Sequence, residues 1–227
     1  MLYLATMYRE GVDGVLAQSK SKAMSLTAEA ADLGHLLSQS RVVLDNITGN
    51  GIENQQKQFF YATLAYSKGG FLAAFGLGCY FHNRGEGPVA YDKSSLYRAK
   101  HYLEKACRPE KEEKICLSTI YHRLARTLRG LDEIQYKGMD TNLPGHCVTP
   151  KVLFWARKTV QRGDNEYHKD HASKLIAELE ALGKTSCANC GKQAKDFGIP
   201  LKQCANCRAI WYCGRDLARY ALFVISL

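Results

Sequence analysis

Residues 22–34, KAMSLTAEAADLG, place Ala23, Leu26, Ala30 and Ala31 on one face of a helix, with Gly34 just past its end. A glycine suits that place because the residue closing a helix commonly adopts the left-handed conformation. The same frame returns three times. QFFYATLAYSKG sets Gln58, Tyr61, Ala65, Tyr66 and Gly69 at the same offsets; a third copy gives Ala99, Tyr102, Ala106 and Cys107 without the glycine; PKVLFWARKTVQRG gives Val152, Trp155, Thr159, Val160 and Gly163. Successive frames begin 35, 41 and 53 residues apart. Equal offsets in four places point to one duplicated unit rather than to the core of an ordinary bundle.

Each of these helices is preceded by another apolar-periodic segment, through Leu4, Ala5 and Tyr8 before the first and Ala74, Leu77, Gly78 and Phe81 before the third. The unit is therefore a helical hairpin, with glycine-rich connections expected at REGVDG (9–14), TGNG (48–51) and NRGEG (83–87). Thr149 and Pro150 announce the fourth helix, which a polar stretch from Asp132 to Cys147 separates from its partner. Small residues at Ala30, Ala31, Ala65, Ala106 and Cys107 let helices approach, while Tyr61, Tyr102 and Trp155 fill the space between units, so Trp155 is expected to be buried. Residues 164–183 read as one more helix, apolar at Leu175, Ile176, Leu179 and Leu182 and ended by Gly183.

The pattern resembles the Sel-one-like repeat, a relative of the tetratricopeptide repeat, over roughly residues 1–163. The resemblance implies an all-α fold in which helix pairs stack into a curved solenoid, and an adaptor role. A linker helix at 164–186 and a cysteine module at 187–227 follow.

That module reads CANCGKQAKDFGIPLKQCANCRAIWYC, with Cys187, Cys190, Cys204, Cys207 and Cys213 spaced C-x2-C-x13-C-x2-C-x5-C. Two residues between cysteines let both thiolates reach one Zn2+ at about 2.3 Å. Soft thiolates select zinc over magnesium or calcium. Nine cysteines is an odd number, and paired CxxC spacing without a secretory signal favours metal over disulfides. CANCGK followed by LKQCANCRAIWYCGRD resembles the MYND zinc finger, a family that binds two zincs in crossed fashion through eight ligands. The resemblance implies that Cys187, Cys190 and Cys213 serve one zinc and Cys204 and Cys207 another. The chain departs from the family at Leu217, where a sixth ligand is expected, and no His or Cys follows Cys213. Two arrangements of a single zinc remain open: Cys187, Cys190, Cys204 and Cys207 together, or Cys187, Cys190 and Cys213 with Asp216 or water. The apolar tail ARYALFVISL, and a first helix of only about two turns before its loop, suggest that both ends are clipped.

The net charge is +9, of which residues 151–227 contribute 13 Lys or Arg against 7 Asp or Glu, or +6. No Arg-rich block or basic and aromatic alternation points this charge at nucleic acid, so the partner class expected is protein or peptide. No apolar run approaches the roughly 18 to 20 residues of a membrane span, and Met1–Tyr8 lacks the features of a secretory signal. The expectation is a cytoplasmic or nuclear protein without membrane association.

Enzyme-like fragments fail on full reading. Gly183, Lys184 and Thr185 spell GKT, but the glycine a phosphate loop needs is Glu178. His168 and His171 sit three apart on the predicted helix with no third ligand apparent and charged neighbours, which reads as a solvated face. Cys79, Cys107, Cys116 and Cys147 are isolated. The expectation is a zinc-binding interaction scaffold without catalytic activity, the alternative being an adaptor or catalytic subunit in ubiquitin transfer by analogy with RING domains, which the incomplete ligand set disfavours. Because the helical units cohere by apolar stacking, chelation of zinc is expected to spare most of the helical circular dichroism; its collapse on chelation would join the two parts into one cooperative unit.

Overall fold

Helices occupy most of the chain that the computed structural model describes, which is residues 1–47, 55–86, 92–107, 117–137, 149–185, 201–203 and 211–212. They are α1 (Leu2–Glu10), α2 (Lys20–Asp32), α3 (Leu36–Ile47), α4 (Gln55–Ser67), α5 (Phe71–Gly85), α6 (Lys93–Ala106), α7 (Leu117–Lys137), α8 (Thr149–Arg162) and α9 (Glu166–Thr185). The only strands among the described residues are β1 (Lys202–Gln203) and β2 (Trp211–Tyr212), which pair antiparallel. No helix among the described residues is long and apolar enough to cross a membrane.

Two compact units emerge. The first holds α1 to α4, α5 as far as Arg84 and the end of α6 from His101; the second holds Gly85, the start of α6 and everything from α7 onward.

In the first unit α1 packs on α2, α2 on α3 and α3 on α4, and the chain reverses at left-handed glycines. After α2, Gly34 (φ 86°) donates its N–H to the Ala31 carbonyl and His35 donates to Ala30, both at 3.0 Å. After α4, Gly69 (φ 81°) donates to Tyr66 at 3.0 Å and Gly70 to Ala65 at 2.8 Å. This is the same paired Schellman closure at the same frame positions. Ser19 caps α2 by accepting from the Lys22 N–H. The Asp45 carboxylate on α3 accepts from Arg9 of α1 at 2.8 Å and from Arg41 at 3.0 Å, tying the first helix to the third. Tyr61 donates its hydroxyl to Asp32, tying α4 to α2; burial, then that bond, raises the phenol pKa well above its ordinary value.

The core confirms part of the expected face and redistributes the rest. Ala23, Ala30, Ala31, Tyr61 and Ala65 are buried, but Leu26 and Tyr102 are half-buried and Leu4 is exposed. The position that is buried in every copy is the small one: Ala30, Ala65, Ala106 and Thr159. The NRGEG segment is not wholly a connection, because α5 runs on through Gly85. Its glycines serve contact rather than turning. A Cβ on Gly76 would overlap the Val43 side chain of α3, and one on Gly78 would stand 2.6 Å from Leu103 Cγ of α6.

In the second unit α7, α8 and α9 pack together. A Cβ on Gly85 would stand 2.5 Å from Leu96 Cδ2, so here too glycine admits a neighbouring helix. The polar stretch from Asp132 begins inside α7, where Asp132 is buried. Trp155 is half-buried, not buried: it lies against Tyr121 of α7 with ring centroids 5.3 Å apart and meets Phe154 edge-on at 5.0 Å. Gly163 (φ 62°) closes α8 by donating to the Thr159 carbonyl at 3.1 Å, a single-bond variant of the earlier closures. Gly183 does not end α9, which continues through Thr185. Arg157 to Glu180 (2.7 Å) and Arg129 to Glu178 (3.0 Å) bridge α9 to α8 and α7.

Gly76 gives the sharpest test. Gly→Ala in a helix interior ordinarily gains about 1 kcal/mol. Here the added methyl meets a β-branched side chain that is stiff at χ1, and overpacking costs roughly 1–3 kcal/mol. Gly76→Ala is expected to lower the thermal midpoint by several degrees, and Gly76→Ala/Val43→Ala to recover part of the loss.

Candidate functional site

The five cysteines on which the sequence centres its metal site, Cys187, Cys190, Cys204, Cys207 and Cys213, all lie outside the described residues. What is described is the frame beside them. β1 and β2 pair Lys202 with Tyr212 and Gln203 with Trp211, and Leu201 ahead of β1 is buried. Cys204 follows Gln203 in the chain, and Cys213 follows Tyr212. Of the isolated cysteines, Cys79 is buried in α5 and Cys107, following α6, is half-buried; Cys116 and Cys147 lie outside the described residues.

A second cluster is fully described. α9 starts at an Asn165 side chain that accepts the His168 N–H at 3.0 Å. That cap sets His168 and His171 on the first turns of the helix, facing α7. His122 of α7 comes between them, its ring centroid 4.8 Å from His168 and 6.0 Å from His171. The Tyr167 ring flanks His171 at 4.4 Å. The expected solvated face is therefore corrected for His168, which is half-buried, while His171 is exposed. His122 is 5% exposed. The Nδ1 atoms of both His122 and His168 are buried without a hydrogen-bond partner.

The electrostatics follow from that packing. Burial drives the His122 pKa down to about 3, helped by the neighbouring His168, Arg126, Arg123 and His171, each of which disfavours a second positive charge beside it. Burial also lowers the His168 pKa, with Arg123 and His171 acting in the same direction and Asp164 opposing them. Both rings are neutral at pH 7, with lone pairs available. As the side chains stand, however, no group of three or more His, Cys, Asp or Glu among the described residues could hold a metal ion.

Sequence reasoning missed His122 because nothing local marks it. Its single signal is position, four residues after Ser118 and three before Ala125 on the buried face of α7. No protein-family model and no curated protein matches the chain.

The depressed histidines give a pH dependence with a definite sign. An unfolded imidazole takes up a proton near pH 6.5, whereas native His122 does not until about pH 3. The unfolded state therefore binds more protons between those values, and stability falls as pH drops below about 6.5. With a chelator present, lowering the pH from 7 to 5 is expected to cost up to roughly 2 kcal/mol from His122 alone, read from urea midpoints. His122→Phe is expected to flatten the profile across that range.

Proposed function

We propose that this chain is a non-enzymatic interaction scaffold in which helical-hairpin repeats, stacked as a solenoid, carry one partner surface and a C-terminal zinc module a second. The observation that carries the reading is the recurrence of one device at equal frame positions. A buried small residue and a left-handed glycine four residues later recur as Ala30 with Gly34, Ala65 with Gly69 and Thr159 with Gly163. Repetition of one supersecondary unit is the signature of repeat proteins, whose extended surfaces serve binding.

Ligand chemistry supports the zinc module, since two CxxC pairs and a fifth cysteine offer soft thiolates at tetrahedral spacing. The crossed grouping that the MYND resemblance implies, with Cys213 beside Cys187 and Cys190, is the one we favour.

The reading is tested by cobalt substitution, which reports thiolate ligation through its charge-transfer band. One thiolate-bound metal per chain is expected, weakened strongly by Cys213→Ser; tolerance of that change would favour Cys187, Cys190, Cys204 and Cys207 as the set. Because proteins that resemble the MYND finger often bind short proline-containing peptides, the metal-loaded chain is expected to bind members of a proline-containing peptide array and to lose them on chelation. Discharge of ubiquitin from a charged conjugating enzyme by the purified chain would overturn the scaffold reading in favour of ubiquitin transfer.

A further inference from the structure

We propose that His122, His168 and His171 form a second, thiolate-free metal site between α7 and α9 that takes Zn2+ or a similar borderline first-row cation. Imidazole is a ligand these ions favour.

The spacing argues for it. A Zn–N bond of 2.0–2.1 Å puts the centre of an imidazole ring roughly 3.2 Å from the metal, so two rings at a tetrahedral angle have centroids about 5 Å apart. The observed 4.8 Å between His122 and His168 and 6.0 Å between His122 and His171 bracket that value. The nitrogens do not yet converge, and ring rotation has to bring them together. That rotation breaks no hydrogen bond at the two buried Nδ1 atoms, because neither has a partner. A metal would instead satisfy a polar atom whose burial is otherwise uncompensated.

The arrangement also has an entrance and a free coordination position. His171 is exposed, giving a cation a path from solvent, and three protein ligands leave a fourth place for water or an anion. The charges facing the cluster run both ways. Arg123 and Arg126 on α7 oppose a cation, although Arg126 is paired with Glu86 at 2.8 Å; Asp164, ahead of α9, favours one, although it is itself paired with Arg162 at 3.4 Å. A fourth ligand that is anionic, such as hydroxide or a carboxylate, therefore suits the site better than a neutral one.

The test uses the full chain, so that the cysteine module is an internal reference. Zinc analysis and cobalt titration of the wild type are compared with His171→Ala, an exposed substitution that spares the core, and with His168→Ala. The wild type is expected to bind one metal equivalent more than the thiolate band accounts for. Each substitution is expected to weaken that equivalent at least about 10-fold, since losing a ligand costs no less than losing one of its outer-shell partners. The thiolate band itself should stay unchanged in every variant. Zinc is also expected to raise the thermal midpoint of the wild type further than that of His171→Ala. Equal metal content, equal titration curves and equal thermal shifts in all three proteins would mean that the cysteines alone hold metal, and would overturn the proposal.

Discussion

Close approach of helices at positions with little or no side chain is the constraint on which the first unit rests. Gly76 and Gly78 of α5 meet Val43 and Leu103, and Ala30 and Ala65 are buried where a larger residue would push neighbours apart. Interiors pack at crystal-like density, so one methyl at such a place is felt. The aromatic residues then fill what the small ones leave: Phe81 stacks on Tyr102 at 5.8 Å with nearly parallel rings, and Tyr66 meets Tyr102 edge-on at 5.3 Å.

The reversals depend on the same economy. Gly34 and Gly69 each close a helix with two backbone bonds and turn the chain within three residues toward the next helix. Such a short connection leaves consecutive helices no choice but to pack side by side. The apolar faces then determine which surfaces meet, and the polar ties of Asp45 and Asp32 add links from α1 to α3 and from α2 to α4.

The second unit uses polar groups differently. Arg129 and Arg157 reach α9 through exposed or half-exposed carboxylates, and such pairs contribute modestly, generally under about 1 kcal/mol each. The histidines between α7 and α9 are the costlier arrangement, since they bury ring nitrogens without partners.

Much of the helical architecture was legible in the sequence. Helix existence, the closures at Gly34, Gly69 and Gly163, and the small buried position of each frame follow from local rules: a 3.6-residue period and the freedom of glycine at positive φ. The thiolate ligand set proposed for zinc rests on spacing along the chain alone. Tertiary structure decided the rest, because it depends on residues far apart in sequence. Gly85 reads as a turn residue until Leu96 stands over it, Trp155 reads as core but is only half-buried against Tyr121 and Phe154, and α9 passes through Gly183 where local propensity would stop it. His122 and His168 are 46 residues apart, and no periodicity within either helix could bring their rings to 4.8 Å; only the packing of α7 on α9 does so.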